Sequence, residues 1–304
     1  MSRPVVALVV TGQVEHKALH RGLQRAFPDA DFVQQTLSAP LDGFTTARLD
    51  DDEPVLEWTS KRGAVIESSL AKLVDQLILA VYPGRHQRPA DFAVLVDDVE
   101  LCNADRVERV VEHVRRAVPR RLTTQAERGN WSSATASKVE RAARTQCSFH
   151  LMSPMVEALF FAEPEALDRA GRALPSRFDA ARQDCERFTV DDPDYVSAPV
   201  VAGATDWRKR PPADRALHPK AYLQYLATPV GEERTRYQET RGGVAALSTL
   251  GWEQVVAVPD YARFARAMLA DIADMTGARP GWLEGGALAP ETDAARGATV
   301  LRNV

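Results

Sequence analysis

Two short apolar runs limit what this chain can fold into. Val5-Val-Ala-Leu-Val-Val10 and Phe92-Ala-Val-Leu-Val96 carry no polar residue and are rich in β-branched side chains. A strand with one wet face alternates, whereas a run apolar on both faces needs a covering layer on each side, as in a parallel sheet. Both runs stop abruptly in polar residues. The first ends in Thr11-Gly12-Gln13-Val14-Glu15 and the second, which begins at Asp91, in Asp97-Asp98-Val99-Glu100.

Helical periodicity follows each run. Leu19, Leu23, Ala26 and Phe27 share one helix face that Pro28 stops, and Ile66, Leu70, Leu73, Val74 and Leu77 form a second. Val107, Val110, Val111, Val114 and Val118 form a third, with Pro119 expected to close it. This rhythm predicts an α/β fold with a parallel-sheet core and helices on both faces. Further strands are expected at residues 32–38, 146–152 and 255–258. Ser153-Pro154 reads as a helix start, Ser as N-cap and Pro at the first helical position. Pro164 begins a second short helix there. His218, standing in for an N-cap residue, and Pro219 open another, and Phe264, Ala267, Met268, Ile272 and Met275 form the last. Residues 120–138 read as a loop, as do 191–212, and the chain from Arg279 reads as a frayed tail. The expected organisation is a single domain over 1–275, with its core in 1–165, a helical elaboration in 166–275 and a tail in 276–304. No internal repeat interrupts it.

Composition excludes some classes. With 38 Lys and Arg against 42 Asp and Glu the net charge is −4, so the chain as a whole is not a basic nucleic-acid binder. Local clusters at Arg115-Arg116, Arg120-Arg121 and Arg208-Lys209-Arg210 could still grip a phosphate backbone, or could simply complement helix ends. Three cysteines without a C-x-x-C, and no apolar run long enough for a leader or a membrane span, point to a soluble cytoplasmic protein. No P-loop and no G-x-S-x-G elbow occurs. His16 and His20 have zinc spacing, but Lys17 follows His16 where a zincin needs its Glu.

The acidic turn at Asp97, Asp98 and Glu100 is the most informative feature. Like charges repel unless a cation sits among them, and carboxylates at i and i+2 can jointly hold Mg²⁺ or Mn²⁺ for a phosphate substrate. A solvated loop in which Asp98 or Asn103 caps the next helix is the plainer alternative. Glu15 falls in the first turn of the first helix, where it can reach the same sheet edge, though the helix dipole alone would favour an acid there.

These two segments resemble the Toprim domain of topoisomerases, primases and OLD-type nucleases, which sets a Glu-Gly pair after its first strand and an Asp-x-Asp after a later one. Val9-Val10-Thr11-Gly12 is similar to the first segment, with Thr11 where the family has its catalytic Glu. Asp98-Val99-Glu100 is the nearest equivalent of the second. Either Glu15 takes over from Thr11, or the site is weakened, or catalysis is lost. The stretches 149–158, 218–223, 237–247 and 251–252 resemble an uncharacterised bacterial group of Toprim relatives, often encoded beside an AAA-type ATPase as in abortive-infection phage defence. The resemblance implies a metal-dependent nuclease acting on DNA or RNA, with such an ATPase as partner. Its alternative is a catalytically lapsed subunit that regulates the ATPase. In that light Glu157 is a candidate third acid, against a plain helix-start role, and Lys220 a candidate phosphate contact. His150 reads as a packed core histidine.

Overall fold

The computed structural model describes residues 2–35, 39–50, 53–83, 88–294 and 299–304. Strands β1 (Val5–Val10), β2 (Asp31–Gln34), β3 (Glu57–Thr59), β4 (Val65–Glu67), β5 (Phe92–Asp98) and β6 (Cys147–Met152) alternate with the longer helices α1 (Gln13–Ala26), α2 (Ser69–Val81), α3 (Val107–Glu127) and α4 (Ser133–Gln146). Beyond β6 the described residues add no strand, only helical segments joined by loops. These include a 3₁₀ segment at Val156–Ala162, then α5 (Pro164–Arg169), α6 (Pro193–Val196), α7 (Pro212–Arg215), α8 (Pro219–Leu226), α9 (Val244–Ser248), α10 (Trp252–Val255) and α11 (Arg263–Thr276). The core sheet has the order β2-β1-β5-β6 and every pairing in it is parallel. β3 and β4 form a separate antiparallel ribbon.

Each apolar run is buried on both faces, as its composition requires. Val6, Leu8 and Val10 pack with α1 and the C-terminal helices in one hydrophobic cluster. Ala7 and Val9 face the opposite way into a second cluster with α2, α3 and α4. The chain leaves β1 toward β2 and then returns to place β5 on the other side of β1. The carboxyl ends of β1 and β5 therefore flank the topological switch point, where open α/β sheets form a crevice. Among the described residues no helix is long and apolar enough to cross a membrane.

Several sequence expectations need correction. Pro119 does not close the third helix: α3 runs through it because Ala117, Val118 and Arg121 continue the buried stripe. Arg121 is 1% exposed and ion-pairs with Glu57, Glu67 and Asp75, tying the β3–β4 ribbon to α3. The polar stretch 120–138 is thus mostly helical, and Ser132 caps α4 by accepting a hydrogen bond from Thr135 N–H. The loop at 191–212 contains α6 and a 3₁₀ turn at Trp207–Lys209. Ser153 does not cap a helix; its hydroxyl donates to Glu186 O, and the 3₁₀ segment starts three residues later. The strand expected at 255–258 is absent, since the carbonyls of Val256 and Val258 accept from the buried Arg266 instead of from a neighbouring strand. The second strand stops at Gln34, and residues 36–38 of that expectation lie outside the described ones.

The C-terminus is not frayed. Arg302 N–H donates to Cys147 O, and the Asn303 side chain accepts from Phe149 N–H and donates to Phe149 O at 3.0 and 2.6 Å. The last residues therefore occupy the open edge of β6, which would otherwise present unpaired strand groups. Asn303→Ala leaves both groups of a buried residue without partners and is expected to lower unfolding free energy by about 1–3 kcal/mol. An unchanged denaturant midpoint would show that this segment does not hold the edge.

Candidate functional site

Alternation along β5 decides which acids meet. Val96 faces the cluster shared with α1, whereas Leu95 and Val99 face the opposite cluster. Asp98 therefore points toward α1 and the C-terminal helices, while Asp97 points to the α2–α3 side. There Asp97 accepts from Thr11 Oγ1 at 2.6 Å, from Asp98 N–H at 3.0 Å and from Thr45 Oγ1 at 3.4 Å. Gly43 lets this loop close over it: a Cβ at Gly43 would lie 2.9 Å from Asp97 Oδ1. Asp97 is a buried brace between β1, β5 and the 43–45 loop; its hydrogen bonds are made there and not with the other acids, although its charge still reaches Glu15 and Asp98. Thr11 is the partner in that brace.

The other four acids do come together at the carboxyl edge. The Glu15 side chain folds back from α1 over Gly12, where a Cβ would fall 2.0 Å from Glu15 Oε2. This close approach, not a special φ, is what requires glycine. It carries a carboxyl from five residues downstream back to the end of β1. Asp98 is fixed by Val156 N–H, which donates to Oδ1 at 3.0 Å. Glu157, 3% exposed, accepts from Tyr237 OH at 3.0 Å, with Lys220 Nζ 3.6 Å from the same oxygen. Lys220 also pairs with Glu239 at 2.6 Å. Glu100 sits at φ 61°, ψ 149°, a region almost reserved for glycine and costing a non-glycine residue on the order of 1–3 kcal/mol. It is held there by bonds from Glu100 N–H to Pro154 O and from Asn103 N–H to Glu100 O.

Electrostatics expresses the crowding. Burial, then the charge of Glu157, pushes the Glu15 carboxyl up to about 8, against the pull of its own backbone N–H and of Lys220. Asp98 is raised well above the usual carboxylate range by lost solvation and by Glu15, Glu157 and Glu100. Glu100 is raised by burial and Glu157, and pulled back by Lys220 and Arg210. Burial raises Asp97 to about 6, with Thr11 opposing. Burial lowers the Lys220 ammonium, but the charges of Glu157, Glu239 and Asp98 outweigh it and keep the amine protonated. Among the described residues no group of three or more His, Cys, Asp or Glu side chains stands arranged to hold a metal ion, and Lys220 brings a positive charge into the centre.

Tyr237 and Glu239 belong to the site but were not expected as site residues; only the resemblance of the 237–247 stretch pointed near them. His150 is fully buried on β6 and bonded to Asp271 at 3.0 Å, as a core histidine should be. His218 caps α8 through Nδ1, which accepts from Ala221 N–H. The basic clusters are largely committed to ion pairs: Arg115 and Arg116 with Glu112, Arg120 with Glu53, Arg208 with Asp206. Comparison with family models, curated proteins and solved structures gave no match.

A pH signature follows. Glu15 titrates near 8 in the folded protein against an ordinary 4.5. The folded state therefore holds a proton that the unfolded chain gives up between those values. The stabilisation is fully present below pH 4.5 and is lost as pH rises to about 8. Glu15→Gln is expected to match wild type near pH 4.5 and to exceed it at pH 8 by on the order of a few kcal/mol. Parallel stability curves for the two proteins across that range would contradict the buried, crowded carboxyl.

Proposed function

We propose that this chain is a Mg²⁺- or Mn²⁺-dependent nuclease that cleaves or nicks the phosphodiester backbone of DNA or RNA. The observation that carries this reading is the convergence of Glu15, Asp98 and Glu157, from three separate elements, at the switch-point edge of the sheet. It is also the reading implied by the Toprim resemblance. Glu15, folded over Gly12, brings a carboxyl to the end of β1, near the place where that family has the Glu that Thr11 replaces.

The donor set fits the ion. All its groups are carboxylate oxygens, the ligands hard cations such as Mg²⁺ and Mn²⁺ take, and a cation relieves the mutual repulsion of Asp98, Glu157 and Glu100. Asp98 and Glu157 would hold it, with Glu100 at the rim. When bound, the ion supplies Lewis acidity at the phosphoryl oxygen and a water of lowered pKa. Glu15, poised close to neutral pH, accepts or returns the proton of the attacking or leaving oxygen. Tyr237 OH fixes the Glu157 carboxyl. Lys220 exchanges its Glu157 contact for a non-bridging phosphate oxygen.

A second reading is a catalytically lapsed subunit that binds and regulates an AAA-type ATPase, within the phage-defence setting the resemblance implies. Its specific support is Lys220, which already neutralises part of the acidic centre from inside the chain. Nicking of supercoiled DNA and cleavage of RNA, measured with Mg²⁺, Mn²⁺ or EDTA, separates the two. Asp98→Asn, Glu157→Gln and Glu15→Gln are each expected to lower metal-dependent turnover at least about 100-fold. Full turnover in Asp98→Asn and Glu157→Gln would place the chemistry elsewhere. No turnover in wild type, with or without the ATPase, alongside a changed ATPase rate, would favour the regulatory reading.

A further inference from the structure

Arg215 is fully buried, yet among the described residues it has no carboxylate partner. Its guanidinium donates instead to backbone carbonyls: Tyr195 O at 3.1 Å, Ala198 O, Pro199 O at 3.4 Å, Arg208 O at 3.5 Å and, through Nε, Arg210 O at 3.0 Å. It also stacks over the Trp207 ring at 5.3 Å. A buried cation needs this many acceptors to offset lost hydration. The outcome is a surface loop with little freedom, cross-linked from inside. That loop carries Arg208-Lys209-Arg210, and its three cations are not equivalent. Arg208 is bound in bidentate fashion to Asp206, at 3.0 Å for both contacts. Among the described residues neither Lys209 nor Arg210 has an ion-pair partner; Lys209 is exposed and Arg210 partly so.

The clamp also fixes where these two cations stand. Arg215 ends α7, its carbonyl accepts from His218 N–H at 3.0 Å, and His218 caps the helix that presents Lys220 to Glu157. Arg215 thus links the loop carrying Lys209 and Arg210 to the start of α8, the helix that presents Lys220 to the acidic centre. The field reflects this arrangement. Burial, followed by the charges of Arg210, Lys220 and Lys209, depresses the His218 imidazole to about 3, and Arg210 pulls on Glu100. Lys209 and Arg210, without an ion-pair partner among the described residues and carried on a loop braced at its backbone, form a local exception in a chain of net charge −4. Acids alone would repel a polyanion from this edge.

We propose that Lys209 and Arg210 form a phosphate-binding rim that receives the nucleic-acid backbone next to the acidic centre, with Arg215 as the positioning residue that holds the rim in place. This rests on the nucleic-acid reading above and names the residues that would bind the strand. Such a contact reads charge and spacing but not sequence.

Fluorescence anisotropy of a labelled 20-base-pair duplex, in Ca²⁺ and across a salt series, tests it. Lys209→Ala/Arg210→Ala is expected to weaken binding at least about tenfold and to flatten the slope of log K against log salt by about 2. Arg208→Ala, which removes a guanidinium already committed to Asp206, is expected to keep the wild-type slope. Equal slopes for wild type and the double variant overturn the rim and leave the nuclease reading intact. Wild type that fails to bind the duplex yet hydrolyses bis(p-nitrophenyl) phosphate overturns the rim and the polymer substrate together, but not the phosphodiesterase centre. Failure of both assays overturns both proposals.

Discussion

Four carboxyl groups at one edge of a sheet repel each other, and every other feature of this edge answers that repulsion. Lys220 supplies a permanent positive charge, Tyr237 and Val156 N–H supply hydrogen bonds to Glu157 and Asp98, and burial drives Glu15 and Asp98 toward their protonated forms. Such an arrangement is costly for stability alone, because buried like charges are easily replaced by apolar side chains. Its cost, together with the strained backbone at Glu100, is the kind concentrated at sites that handle a charged ligand.

The fold determines which acids take part. β1 and β5 are neighbours whose following helices lie on opposite faces, so their carboxyl ends open a crevice. The pleat then separates two adjacent residues by function. Asp98 turns into the crevice and Asp97 turns away to brace Thr11 and Thr45. The elaborated C-terminal half closes the crevice, contributing Lys220, Tyr237 and Glu239, and it shares one hydrophobic cluster with β1 and α1. The buried arginines do comparable work at a distance. Arg121 ties the ribbon to α3, Arg266 occupies the carbonyls of 256 and 258, and Arg215 stiffens the loop that precedes α7.

Much of this was legible in the sequence, and the exceptions have physical causes. Val5–Val10 and the run ending at Val96 could only be doubly covered strands, and the β-then-α rhythm carried the parallel sheet with them. Glu15, Asp98, Glu100 and Glu157 were recognisable as acids near strand ends or helix starts. Asp97 was not separable from Asp98, because spacing alone does not reveal which face of the pleat a terminal residue takes. The role of Thr11 depended on the same choice. Pro119 looked like a stop because a proline removes one helical hydrogen bond, but the buried Arg121 network lies beyond it and carries α3 onward. α4 was hidden by its polarity, since only Val139 and Ala143 are buried along it. The run at 255–258 has strand composition, yet its carbonyls are taken by a side chain more than five residues away. Tyr237 and Glu239 reach the site only through the packing of the C-terminal half, which no local pattern records.

The reading of this edge as a cation site is tested most directly by a crystal structure of the protein soaked in Mn²⁺, with anomalous scattering used to locate the metal. The expected result is an anomalous peak held by Asp98 and Glu157, with Glu100 at its rim and Lys220 withdrawn from Glu157. Crystals saturated with Mn²⁺ that show no peak there, and Lys220 still seated on Glu157, would contradict it and leave the acidic centre as a device balanced entirely within the chain.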